Sequence, residues 1–138
     1  MCDNTSCLYG VGCVAVRNGK IVMEAFNETL PGEKYCQEGE CIRKTLGLTG
    51  GASIDKVCTI HAEVNLIAKA AARGIKLDGV DIYLTTFPCY ICSKSLVQAR
   101  IGRLFYMSDY ANNDGKRFFK AVDIPVEQVK EELVWKYG

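Results

Sequence analysis

Val80-Asp81-Ile82-Tyr83-Leu84-Thr85-Thr86-Phe87-Pro88-Cys89-Tyr90-Ile91-Cys92 is the stretch that decides the fold. Its first six residues, Val80 to Thr85, form a short apolar run that predicts a strand. Pro88 has no backbone N–H to leave unsatisfied, so it suits the entry to a helix, here Cys89 to Arg100. A further strand is expected at Arg103 to Met107. A strand, a crossover helix and a second strand imply a parallel portion of sheet with the helix packed on its face.

Upstream, His61 to Arg73 predicts another helix, stopped by Gly74. Val64, Ile67, Ala68 and Ala71 fall on one of its faces, and Leu66 and Ala70 on the other, so it is expected to be buried nearly all round. Tyr9 to Arg17 is apolar and β-branched, and Asn18-Gly19 is a type I′ hairpin signal, with Lys20 to Phe26 as the return strand. From Asn27 to Val57 no period survives, and a loop of that length is uncommon unless something organises it. Lys116 to Val122 and Glu127 to Tyr137 are both expected to be helical. No repeat, low-complexity tract or linker interrupts residues 1–138, which are expected to form a single domain.

Composition narrows the function. Seventeen basic against sixteen acidic residues leave a net charge of +1, whereas a nucleic-acid-binding domain usually shows a marked basic excess. A small substrate is the better fit, with no nucleic-acid partner. No apolar run approaches the ~20 residues that span a bilayer, and Met1 to Ser6 shows no signal-peptide pattern. A cytoplasmic chain without a membrane partner is expected. Eight cysteines in such a chain suit thiolate metal ligation better than disulfides.

The chemistry concentrates in His61-Ala62-Glu63 and Pro88-Cys89-Tyr90-Ile91-Cys92. Cys89 and Cys92, three residues apart, project from one face of a helix's first turn, where the positive end of the helix dipole favours thiolates. His61 opens the other helix and can meet them, which makes three zinc ligands, the number a catalytic zinc site draws from protein. Glu63 is two residues on and points elsewhere. It is therefore better placed to move protons than to be a fourth ligand. A C-x-x-C alone is as often a zinc knuckle or a redox pair, and a single histidine is more often a core residue. Together, H-x-E and P-C-x-x-C are the signature of the zinc nucleobase deaminases.

From about Thr5 to Ile124 the chain resembles the deoxycytidylate deaminase family, within the cytidine deaminase-like superfamily. The resemblance is carried by His61-Ala62-Glu63-Val64-Asn65, by Thr85 to Lys94, by Tyr106-Met107-Ser108-Asp109-Tyr110 and by Val11 to Val16. It implies an α/β fold, the three-layer α/β/α cytidine deaminase-like fold with a mixed central sheet. It also implies hydrolysis of deoxycytidine monophosphate (dCMP) to deoxyuridine monophosphate (dUMP), a precursor of dTTP. Zinc would sit on His61, Cys89 and Cys92, with Glu63 as the catalytic acid and base. Asn27 and Asn65 would contact the sugar or phosphate end, and Tyr110, after Ser108 and Asp109, would cap the pocket. Relatives are commonly hexamers, and several respond to dCTP and dTTP, with magnesium accompanying the nucleotide effector.

Late-competence and phage relatives carry an insertion before the histidine helix, and Cys36 to Gly51 is similar to it, ending at Cys58. Cys7 matches a family cysteine before the first strand. Four cysteines from separated segments, Cys7, Cys36, Cys41 and Cys58, would form a closed structural zinc site that orders residues 33–58. Cys2 is an alternative for one of them, and Cys13 reads as core.

The chain also departs from the family. With only a few residues ahead of the first strand, the helix that usually precedes it in the family is not expected in this sequence. The Tyr-Asn-Gly-x-Pro loop stands here as Phe26-Asn27-Glu28-Thr29-Leu30-Pro31-Gly32, with Glu in place of Gly. Leu8, Tyr9 and Gly10 replace basic residues. Other bases stay open as substrates, although free-cytidine deaminases usually have Cys where His61 stands, and tRNA adenosine deaminases lack the insertion. A non-catalytic zinc scaffold is the alternative from another class, and it has no use for Glu63.

Overall fold

Alternation along three strands divides the molecule into two sides. The computed structural model describes residues 11–32, 59–110 and 113–130. Strand β1 (Gly12–Arg17) turns through Asn18-Gly19 into β2 (Lys20–Phe26). Asn18 and Gly19 have φ of 53° and 75°, the two positive values of a type I′ turn. Two-residue strands β3 (Glu28–Thr29) and β4 (Thr59–Ile60) pair with each other. Helix α1 (Ala62–Arg73), strand β5 (Asp81–Thr86), helix α2 (Tyr90–Gln98), strand β6 (Arg103–Ser108), helix α3 (Lys116–Ala121) and strand β7 (Val126–Gln128) follow.

The five-stranded sheet runs β2-β1-β5-β6-β7. β1 is antiparallel to both neighbours, while β5, β6 and β7 are parallel, so the sheet is mixed. Cys13 and Ala15, Ile82 and Leu84, and Leu104 and Tyr106 point to one side, where they meet Leu66 of α1, Leu96 of α2 and Phe119 of α3. The intervening residues Val14, Val16, Tyr83, Phe105 and Met107 form a smaller cluster on the other side. All three helices among the described residues lie on the first side. None of these helices is long and apolar enough to cross a membrane.

Two expectations are corrected. Ala68 and Ala71 are exposed, so α1 is not buried all round. Its buried stripe is Ala62, Leu66 and Ala70, joined by Glu63 and Asn65, because the helix lies across β1 and β2 on one flank only. Of the helix expected over Glu127 to Tyr137, the first residues are instead part of strand β7, Val126–Gln128, paired with Leu104–Tyr106. Pro125 cannot donate and disfavours a helical residue before it, and the parallel edge of β6 supplies a ladder. Leu104 N–H donates to Pro125 O at 2.9 Å, and Val129 N–H to Tyr106 O at 2.8 Å. Residues 131–138 lie outside the described residues.

Candidate active site

Two helix entries meet at the site. Strand β4 ends one residue before His61, which has extended dihedrals (φ −67°, ψ 148°) as the N-cap of α1. Strand β5 leads through Phe87 and Pro88 to Cys89, the N-cap of α2. Cys89 Sγ accepts the Cys92 N–H at 3.3 Å, so the second cysteine's backbone fixes the first one's sulfur. Ser93 Oγ donates to Pro88 O at 3.3 Å and holds the entry from below.

The side chains converge. His61 Nδ1 lies 3.6 Å from Cys89 Sγ and 3.4 Å from Cys92 Sγ, and all the possible ligand atoms lie within 4.8 Å of one another. A tetrahedral ion with Zn–S of about 2.3 Å and Zn–N of about 2.0–2.1 Å requires an N···S edge of about 3.6 Å. The residues therefore fit zinc, through the Nδ1 face of the imidazole. The two thiols divide one proton between them. The Cys92 side chain pulls Cys89 well below the usual thiol range, while the same contact and burial push Cys92 up. A cation beside them favours loss of that remaining proton too.

Glu63 is not among the three residues whose possible ligand atoms converge. It is only 3% exposed. Burial pushes its carboxyl up from the ordinary value, offset by its own backbone hydrogen bond, by His61 and by Cys92. A carboxyl lifted towards neutrality beside a metal site can both take and return protons.

The residues expected at the substrate end are placed as follows. Asn27 is buried at the end of β2, where its Oδ1 accepts the Val11 N–H at 2.8 Å. Asn65 is buried one turn along α1 from His61, and its Nδ2 donates to Phe26 O at 2.8 Å and Glu28 Oε1 at 2.9 Å. Tyr110 follows β6 and packs against the main core. Ser108 Oγ donates to Thr85 O at 3.0 Å, and Asp109 accepts from Asn113 Nδ2 at 2.7 Å. Cys13 is fully buried in the core, as expected. Cys2, Cys7, Cys36, Cys41 and Cys58 lie outside the described residues.

Sequence reasoning missed Glu28 and Lys69. In the sequence Glu28 stands out only as a departure from a family glycine, yet its carboxylate binds Asn65 and, at 3.1 Å, Lys69 Nζ. The available signal was that Asn65 and Lys69 are four residues apart on one helix face.

Comparison with known proteins places this geometry in context. The sequence profile of the cytidine and deoxycytidylate deaminase zinc-binding region matches residues 3–108. The chain is 32% identical to ComE operon protein 2 of Bacillus subtilis, over 90% of this chain and 62% of that protein. It is 31% identical to the deoxycytidylate deaminase of Schizosaccharomyces pombe, over 72% of this chain and 31% of that protein. It thus spans less than two thirds of either relative's length. Among solved structures it is similar to the dCMP deaminase of cyanophage S-TIM5 in complex with dCMP and dUMP. That likeness has a TM-score of 0.74 at 28% identity, over 91% of this chain and 85% of that one.

Proposed function

The chain belongs to the cytidine and deoxycytidylate deaminase family, and from that premise we propose that it hydrolyses dCMP to dUMP and ammonia, supplying the precursor of dTTP. The observation that carries this reading is the trio of His61 Nδ1, Cys89 Sγ and Cys92 Sγ at tetrahedral spacing, beside a buried Glu63. His61, Cys89 and Cys92 would hold zinc, which when bound supplies a Lewis acid that makes water nucleophilic near neutral pH. Glu63 takes a proton from the attacking water and passes it to ring nitrogen 3 as oxygen bonds to carbon 4. It then carries the second proton to the amino group, the C–N bond breaks, and ammonia leaves with the carbonyl formed. Burial holds Glu63 ready for both transfers, because its protonated and ionised forms are brought closer in energy.

Asn27 and Asn65 are assigned to the sugar or phosphate end of the substrate and Tyr110 to the mouth of the pocket. The likeness to an enzyme crystallised with dCMP and dUMP supports a nucleotide over a free base. Cys7, Cys36, Cys41 and Cys58 are assigned a second, structural zinc, on the strength of the insertion's cysteine spacing. The same family resemblance supports a cytoplasmic homo-oligomer of hexameric type, answering to dCTP and dTTP with magnesium.

An ammonia-release panel over dCMP, CMP, deoxycytidine, cytosine, adenosine and guanine tests the substrate. Turnover of dCMP with the others slow is the expected result. An inert dCMP beside another active base would replace the substrate and keep the chemistry. Metal analysis giving two zinc ions per chain, falling to one with Cys36→Ser, is expected of the second site.

A further inference from the structure

We propose that Glu28 is a positioning residue that fixes Asn65 as a pure hydrogen-bond acceptor, so that this subsite takes a substrate hydroxyl and not a phosphate. The inference rests on the nucleotide reading above and deepens it. Asn65 Nδ2 lies between Phe26 O at 2.8 Å and Glu28 Oε1 at 2.9 Å. Both neighbours are acceptors only, so the atom between them must be the NH2 group, and the amide cannot be reversed. Both of its hydrogens are then committed. What remains for a ligand is Oδ1, which can accept and never donate.

That oxygen is still within reach of solvent. Among the described residues Asn113 Oδ1 is the buried side-chain polar atom left without a partner. Asn65 Oδ1, which accepts from no described residue, is not sealed in the same way. Asn65 also stands one helical turn, about 5.4 Å along the axis, from His61, on the metal-ligand end of α1.

Glu28 is itself held at three points. Its backbone pairs with Ile60, the residue before His61, and its carboxylate binds Asn65 and Lys69. The Asn65 amide and then the Lys69 ammonium pull its carboxyl below the ordinary value, so it stays ionised. With the Lys69 ammonium engaged by Glu28 and Asn65 Oδ1 able only to accept, the subsite gives a phosphate no donor from Asn65 and welcomes a hydroxyl donor. A glycine at position 28 would leave one Asn65 hydrogen free, and the subsite would then offer donor and acceptor alike.

The test uses the zinc-loaded protein with Glu28→Gln, which keeps an acceptor oxygen, and Glu28→Ala, which does not. Two substrates are compared, dCMP and its 3′-deoxy counterpart. The natural chain should prefer the hydroxyl by about tenfold in kcat/KM, carried by KM, as one lost hydrogen bond would give. Glu28→Gln should keep most of that preference, and Glu28→Ala should reduce it to about twofold with kcat for dCMP little changed. An unchanged preference in Glu28→Ala would overturn the proposal. A second readout needs no turnover. The Asn65 side-chain NH2, followed by NMR, should exchange slowly in the natural chain and Glu28→Gln, and fast in Glu28→Ala. Equal exchange in all three also overturns the proposal. If no nucleotide is turned over, the deamination reading falls, and the NH2 exchange still decides the role of Glu28.

Discussion

Under the proposed function, two residues of spacing would separate a ligand, His61, from a proton carrier, Glu63. His61 caps α1 and reaches the cysteines, while Glu63 lies inside the helix, buried beside them. Glu63→Gln, nearly the same size but unable to take a proton, should lower ammonia release by about 10²–10⁴-fold. Zinc content should stay unchanged. Loss of zinc with the activity would mean that Glu63 holds the metal instead. Glu28 gives the pH counterpart. Its carboxyl is lowered from 4.5 by Asn65 and Lys69, so the stability it adds is present above that value and is lost as pH falls through the lowered one. The group is 38% exposed, which limits the effect to about 1 kcal/mol or less. Thermal unfolding of Glu28→Gln should therefore show a small deficit at pH 7 that closes towards pH 3, and a constant deficit would deny the charge any part. The convergence of His61, Cys89 and Cys92 was legible because a histidine at one helix entry and a C-x-x-C at another are the spacing that metal ligation uses. Glu28 and Lys69 were not, because their value depends on β3 lying against α1, which no local pattern encodes.

The elements themselves were readable where local chemistry outweighed tertiary context. Asn18-Gly19 fixed the hairpin, Pro88 fixed the start of α2, and Gly74 fixed the end of α1 with φ of 67°. Only the residues directly after Pro125 differ from expectation, because a three-residue strand is decided by its neighbour β6, and not by its own period. Close packing between α2 and α3 was equally hidden. A Cβ on Gly115 would stand 2.2 Å from Ser93 Oγ and 2.7 Å from Ser93 Cβ. Ser93 is fully buried and bonded to Pro88, so it cannot swing away. Gly115→Ala should cost about 1–3 kcal/mol in urea unfolding, as other overpacked cores do. Adding Ser93→Ala should return only part of that loss, since the Cβ contact persists. Full additivity of the two substitutions would show that they do not meet.

At the scale of the whole molecule the mixed sheet and its helices were legible, while the order of its strands was not. β1 lies between β2 and β5, a neighbour far along the chain, and no hydrophobic pattern names that partner. The His61, Cys89 and Cys92 trio fastens α1 to α2, so a chelator strong enough to strip zinc should lower the melting temperature by several degrees. Readdition of zinc should restore it, and an unchanged midpoint would confine the metal to catalysis. The same sheet order has a consequence for synthesis on the ribosome. Cys13 must wait for Leu84, 71 residues later, before the second edge of β1 is covered. The hairpin is complete at Phe26, 58 residues before Leu84, and at translation rates of roughly 5–20 residues per second that is about 3–12 s during which its open strand edge is exposed. Crowded nascent chains are therefore at greatest risk of pairing with one another in that interval, and slowing elongation between Thr29 and Val80 would lengthen it.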